Sequence, residues 1–389
     1  MAETNTKGVL TVGEVYERQT TGVWPTSWYV PVVITRNLWT WGRNPDGQLG
    51  VNNTTYRSSP VQVATLLNWT TVTMGANHSI AIKSDGTLWT WGNGAEGRLG
   101  LSDIISRSSP VQVGALTTWT AISAGFGHSV AIKGGTLWTW GRASQGELGQ
   151  GTTVTRSSPI QVGALTTWLS ISCGYQYVTA ITTTGTLWAW GRNADGQLGI
   201  GNTLHRSSPT QIGTLTTWLA VSCGYNHTVA IRTNGTLWTW GRGTNGQLGN
   251  ATTLSRSSPL QVGALTTWSK IAAGSSGQQN GHTLGVTTGG TLWAWGNNNF
   301  TQLGLGAAIL RSSPVQVGAL TNWSTVTIGY FSSTAVKTNG TLWAWGRNNN
   351  GSLGLSNVAT YASPKQVGTL TTWISAAASH GQGVVAISS

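Results

Sequence analysis

Thr87-Leu88-Trp89-Thr90-Trp91-Gly92 reads as a β-strand ended by a glycine, and its core, Trp-(Thr/Ala)-Trp-Gly, occurs seven times. The copies end at Gly42, Gly92, Gly141, Gly191, Gly241, Gly296 and Gly346, with gaps of 50, 49, 50, 50, 55 and 50 residues. After each copy comes a loop closing in Leu-Gly, as at Leu99-Gly100, and then a Ser-Pro, as at Ser109-Pro110. Nine residues beyond each proline stands another tryptophan, from Trp69 to Trp373. Three per unit over seven units account for 21 of the 23 tryptophans. A length of 389 residues alone suggests two or three domains; a period of about 50 residues argues instead for one cyclic object.

Within a unit the residues read as strands. Apolar side chains alternate through Trp69–Met74 and His78–Lys83, the period of a sheet with distinct faces. Ser84-Asp85-Gly86 then turns the chain into Thr87–Gly92, a hairpin signature. The third unit is one residue short here, with Gly134-Gly135 as its turn. With the short Val61-Gln62-Val63 segment, each unit supplies four strands. Both faces of Leu-Trp-Thr-Trp carry bulk, so both need cover, and blades stacked about an axis provide it. The expected fold is all-β, a seven-bladed β-propeller.

The last unit ends at Gly383–Ser389 without its Leu-Trp-Thr-Trp strand, and Leu38–Gly42 has no unit before it. The economical arrangement completes the last blade with Leu38–Gly42 and leaves no open edge. Tyr29–Thr35 is the rival partner, but Pro31 interrupts it. The expected organisation is therefore a propeller over residues 36–389 and an N-terminal arm over residues 1–35. The arm holds three of the nine acids and both unrepeated tryptophans, Trp24 and Trp28. It reads either as an attachment device or as a cap on one blade.

Leu-Trp-Thr-Trp-Gly-Arg-Asn-x-x-Gly-Gln-Leu-Gly, then Ser-Pro-x-Gln-Val, then Gly-x-x-His-Ser/Thr-x-Ala-Ile resembles the repeat of the RCC1 (regulator of chromosome condensation) superfamily. The resemblance covers residues 36–389 and implies a seven-bladed propeller, in agreement with the count of units. It also implies a partner-binding face at the turn after the repeat glycine, where the family's motif places aromatic and basic side chains. The basic member is missing at that turn here.

Composition excludes several classes. Net charge is +12 from 21 basic and 9 acidic residues, yet charged residues are only 8% of the chain. With 23 tryptophans besides, disorder and coiled coil are both excluded. No run of 18 apolar residues offers a membrane-spanning helix, and the first twenty residues lack the basic start and apolar core of a secretory signal. His78, His128, His227 and His282 share one repeat position, where Tyr177, Ser332 and Gln382 stand in other units. Such residues sit too far apart to ligate one ion, which favours hydrogen-bonded turn histidines. Cys173 and Cys223 are also equivalent and occupy an apolar slot, so they read as buried thiols. Carboxylates do not converge in the sequence, and the expectation is a protein that is not an enzyme, with no cofactor and no metal.

Arginine precedes Ser-Ser-Pro six times (Arg57, Arg107, Arg156, Arg206, Arg256, Arg311) and follows Trp-Gly five times (Arg43, Arg142, Arg192, Arg242, Arg347). On a ring each set is an annulus that could meet phosphate or acidic polysaccharide. The plainer reading is that these side chains pin loop carbonyls between blades. The sharper signal is what varies at otherwise regular positions. Phe126, Tyr175-Gln176, Tyr225-Asn226 and Tyr330-Phe331 follow the repeat glycine, and the fifth unit inserts five residues there, across Ser275, Gln278, Gln279 and Asn280. Aromatic and amide side chains on one loop face suit a protein or glycan partner; the plainer reading has the aromatics filling the channel mouth.

The expected function is a non-enzymatic binding or structural propeller. The arm, with Tyr16, Arg18, Trp24 and Trp28, would anchor it to an assembly, and the loop face would recognise a partner protein, a glycan or a cell-surface receptor. Val12–Gln19 with Trp24-Pro25 weakly resembles the leading segments of tailed-phage structural proteins, which points to a virion or extracellular surface, with the cytoplasm as the other location. The alternative is the family's namesake role, a chromatin-bound exchange factor for a small GTPase. This chain shows neither a basic tail nor an acidic loop for that role, and nucleic acid is not an expected partner.

Overall fold

A computed structural model of the chain describes residues 35–63, 67–275, 281–378 and 382–389. Within them, twenty-eight strands, β1 to β28 in chain order, form seven four-stranded antiparallel sheets. The protein is a seven-bladed β-propeller. In a typical blade β3 (Trp69–Met74), β4 (His78–Lys83), β5 (Leu88–Gly92) and β6 (Arg107–Gln112) lie side by side in that order. The first strand of each blade packs on those of its neighbours around the axis, and the Arg-Ser-Ser-Pro strand is outermost.

One blade draws on distant parts of the chain. Its order is β2 (Arg57–Gln62), β1 (Asn37–Gly42), β28 (Gly383–Ser388), β27 (Trp373–Ala378). The β1–β28 register runs without interruption from Asn37 opposite Ser388 to Gly42 opposite Gly383. With β2 on one side and β28 on the other, β1 has no edge left for a further strand. The arm positions Tyr16, Arg18, Trp24 and Trp28, and the rival strand from Tyr29, lie outside the described residues.

The repeat motif follows from local sterics. Gly92 has φ +104°, and a Cβ there would stand 2.5 Å from the Asn77 carbonyl oxygen, so only glycine can end the Trp-Thr-Trp strand against the hairpin beside it. The glycine of Leu-Gly is fixed by a different neighbour. A Cβ on Gly100 would fall 2.8 Å from Nε1 of Trp140 in the next blade. The loop between them is shaped by its own side chains. Asn44 accepts the Leu49 N–H at 2.9 Å and donates to the Asn53 carbonyl at 2.8 Å, while Gln48 accepts the Asp46 N–H at 3.0 Å.

The core is a series of blade-to-blade layers. The second tryptophan of each Trp-x-Trp, from Trp41 to Trp345, is fully buried, as is the leucine before each pair. Each such indole N–H crosses to a loop carbonyl of the preceding blade at 2.9–3.0 Å, for example Trp91 to Gln48 and Trp240 to Gln197. Burying one tryptophan contributes roughly 4–6 kcal/mol as an upper bound. The first tryptophan of each pair is only half-buried and lies toward the end of its strand away from the hairpin tip, as Trp89 opposite Ala81 shows. There it walls clefts between blades, of about 480 Å³ beside Trp268 and Trp293, about 500 Å³ beside Trp218 and Trp238, and about 360 Å³ beside Trp168 and Trp188.

Candidate functional site: the hairpin-tip face

In the five blades whose turn is described, the first two strands are joined at one end of the ring by the short turn after the repeat glycine. Phe126, Tyr175-Gln176, Tyr225-Asn226 and Tyr330-Phe331 sit there, and neighbouring tips touch. The Phe126 N–H donates to the Tyr175 carbonyl at 3.3 Å, and the two rings lie 4.6 Å apart at 58°. Tyr175 stacks on Tyr225 at 3.8 Å and 15°, so three successive blades share one continuous aromatic row. A second cluster joins Tyr330, Phe331 and Phe300, with ring distances of 4.6 and 4.3 Å, and Arg347 lies 4.8 Å from the Phe300 ring.

These residues differ in access. Phe126, Tyr175 and Tyr330 are half-buried. Tyr225, Phe331, Gln176 and Asn226 are buried beneath them. Burial pushes the Tyr225 phenol well above its usual range. Ser275 ends the lengthened first strand of its blade, and Gln278, Gln279 and Asn280 lie outside the described residues. The amides have a task that the sequence did not reveal. Asn226 accepts from Arg192 at 2.6 Å and Asn77 from Arg43 at 3.3 Å, each bond crossing from one blade to the tip of the next. Gln176 meets Arg142 at 3.0 and 3.3 Å in the amide orientation that satisfies both groups. Three of the five Trp-Gly-Arg arginines, Arg43, Arg142 and Arg192, therefore hold neighbouring tips through carboxamides rather than through the carbonyls expected, whereas Arg242 meets Thr244 and Asp195.

Charge on this face is mostly consumed internally. Arg98 pairs with Glu96 at 2.7 Å, Arg142 approaches Glu96 and Glu147 at 3.7 and 3.9 Å, and Asp195 lies between Arg192 and Arg242 at 3.3 and 3.8 Å. Glu147 is fully buried, and desolvation raises its carboxyl to about 7. Four other blades carry glutamine at that position, Gln48, Gln197, Gln247 and Gln302. The outer arginines behave differently: Arg156 and Arg256 are exposed, and Arg107 pairs with Asp103 at 2.7 Å.

The histidines are structural. His78, His227 and His282 each meet a hydroxyl of the next blade, Ser129, Thr283 and Ser333, at 2.9–3.1 Å. Those hydroxyls in turn donate to loop carbonyls. Burial holds His128 and His282 down at about 3, and His78 well below its ordinary value. The seventh unit corrects the sequence alignment. Gly383, not Gln382, occupies the histidine position, because Gly383 pairs with Gly42 as His78 pairs with Gly92. Cys173 and Cys223 are free, buried thiols that burial pushes up. Among the described residues no three His, Cys, Asp or Glu lie together in a way that could hold a metal ion, and no helix is long and apolar enough to cross a membrane.

With the ring and its tips in view, the family can be stated. A model described as the RCC1-like domain matches residues 162–388, more than half of the chain. The chain belongs to the RCC1-like family. A model of the regulator of chromosome condensation (RCC1) repeat matches residues 37–82, 85–132 and 134–181, and a second model of that repeat matches residues 69–98. No curated protein matches the chain. Among solved structures, human WBSCR16 is similar at 19% identity and a TM-score of 0.80, over 91% of this chain and 98% of that one. Prp20p from Saccharomyces cerevisiae, described with its binding properties to Gsp1p and histones, is similar at 20% identity and a TM-score of 0.81, over 92% of each chain. Yeast RCC1 (Prp20) bound to Kap60 is similar at 19% identity and a TM-score of 0.81, over 100% of this chain and 94% of that one. At such identities the likeness is one of fold.

Proposed function

We propose that this RCC1-like propeller is a non-catalytic binding module whose tip face takes a protein partner. The observation that carries this reading is the aromatic row Phe126–Tyr175–Tyr225. It is anchored at its buried end and open at Phe126 and Tyr175, with Tyr330 open on a later blade. Rigid, part-buried aromatics bring large contact area with little ordering entropy left to lose. A protein partner is also the class in the printed descriptions of the similar yeast propellers, with Gsp1p, histones and Kap60. Those descriptions favour the family's exchange-factor role as the second reading. They lend nothing to a virion, a glycan partner or assembly through residues 1–35, which rest on sequence analogy alone.

The two readings separate in one experiment. The purified chain is mixed with nucleotide-loaded Gsp1p, and both complex formation and nucleotide release are followed. Accelerated release establishes the exchange role; binding without release supports a scaffold. The triple variant Phe126→Ser, Tyr175→Ser, Tyr330→Ser should abolish capture of whichever protein partner is found while the ring still melts cooperatively. Undiminished capture by that variant would remove the tip face from the proposal.

A further inference from the structure

The outer loops carry a feature that the protein-binding reading does not use. In each unit the chain runs from the Leu-Gly glycine to the outer strand through a loop whose end bears an uncovered apolar side chain. Ile105, Val154, Leu204, Leu254 and Ile309 are equivalent, 52–62% exposed, and each is followed two positions on by the arginine of Arg-Ser-Ser-Pro. In the remaining two units Thr55 and Ala359 hold that position, but the adjoining Tyr56 and Val358 are 44% and 60% exposed, and Tyr361 stands where the other units have arginine. Register places the set. Arg107 pairs with Gly92, and Gly92 with His78 beside the hairpin tip, so every one of these loops lies at the tip-face end of its blade, on the outermost strand. Between the Leu-Gly glycine and the outer strand the seven loops contain a single acid, Asp103, which is already paired with Arg107 at 2.7 Å.

From this arrangement we infer that the outer margin of the tip face docks on an anionic lipid bilayer, with the apolar side chains entering the interface and the arginines meeting headgroup phosphates. Two physical points favour a bilayer over another polyanion, and a third sets the charge contact. An apolar side chain more than half exposed gains free energy on entering the acyl boundary and gains nothing from a solvated phosphate backbone. A closed ring sets equivalent loops around one margin, so a flat surface can meet all of them together, whereas a nucleic-acid duplex meets only a few. Arginine two residues after the apolar tip supplies the headgroup contact, and one basic residue near an anionic surface is worth about 1 kcal/mol, or about fivefold in affinity. The contact does not require the protein partner proposed above, and a bilayer lying flat across the margin would compete with that partner for the tip face.

Vesicle co-sedimentation of the full chain tests this. Phosphatidylcholine vesicles containing about 30% phosphatidylserine at about 0.15 M salt should retain the protein, and pure phosphatidylcholine should not. Leu204→Ser, Leu254→Ser, Ile309→Ser, which leaves the charge unchanged, should weaken retention about tenfold or more. Arg156→Gln with Arg256→Gln should weaken it about twenty-five-fold, the product of two single losses. These side chains are solvent-facing, so intrinsic tryptophan fluorescence should report an intact ring in both variants. No retention by anionic vesicles overturns the proposal. So does retention that the apolar triple leaves unchanged, or that duplex DNA matches equally, since either outcome describes a general polyanion contact.

Discussion

Glu147 shows how one substitution in a repeat alters the response of the ring to pH. Its carboxyl is raised from 4.5 to about 7 by burial, so between those values the folded protein holds a proton that the unfolded chain has released. This group therefore favours the folded state as pH falls from 7 towards 4.5, on the order of 3 kcal/mol in all. His128 and His282 act in the opposite sense. Their folded values near 3 lie below the ordinary 6.5, so the stability they contribute is complete above 6.5 and is lost as pH falls through that window. Glu147→Gln installs the residue that four other blades already use, with Gln197 accepting the Asp195 N–H at 2.9 Å as its pattern. The variant should be more stable at pH 8. Between pH 6.5 and 5 its stability should fall more steeply than that of the parent, by about 1.4 kcal/mol per unit. Urea unfolding across that range measures both, and an unchanged slope would contradict the burial argument.

Neighbouring blades are joined by a relay in which a loop carbonyl accepts both an indole N–H and a hydroxyl from the following blade. The Gln197 carbonyl receives Trp240 at 2.9 Å and Thr228 at 2.9 Å, whereas the Glu147 carbonyl receives Trp190 at 3.0 Å and faces Val178 where a hydroxyl would stand. The same valine leaves Nε2 of buried His128 without the hydroxyl partner that His78 and His282 have. Trp190→Phe strips that carbonyl of its acceptor role and should destabilise by about 1–3 kcal/mol more than Trp240→Phe, whose carbonyl keeps the threonine. Val178→Thr should stabilise by about 1 kcal/mol by restoring the relay. Thermal melts of the three variants decide the matter. Strands and blades were legible in the sequence because Trp-x-Trp-Gly, Leu-Gly and Ser-Pro recur at a period that local sterics enforce. The relay was not, because its members stand 31 to 56 residues apart and become partners only when blades stack. Tip aromatics were visible as breaks in the repeat, but the burial of Tyr225 and Phe331 was not, since the covering ring comes from another tip or loop.

At the scale of the molecule, seven complete sheets are drawn from residues 37–388, and one of them depends on both ends of that span. Removing residues 1–34 should therefore leave the melting temperature of the ring nearly unchanged. Removing residues 1–42 takes Leu38 and Trp41 from the core and exposes β28 and β2 as edges, so the melting temperature should drop by ten degrees or more, about what a loss of several kcal/mol produces. Equal melting of the two truncations would show that closure contributes little. The outermost strands meanwhile remain exposed as seven edges. Six carry the proline of Arg-Ser-Ser-Pro and the seventh that of Tyr-Ala-Ser-Pro, a residue that cannot donate to an invading strand. The shared blade also imposes an order on biosynthesis. Leu38–Gly42 leaves the ribosome early, yet its central partner is made only some 340 residues later. At about 5–20 residues per second that interval is tens of seconds. Six blades can assemble from contiguous chain during translation, while an apolar strand holding Trp39 and Trp41 waits for Gly383–Ser388. The nascent chain is thus most in need of a chaperone at its first blade strand rather than at its newest one.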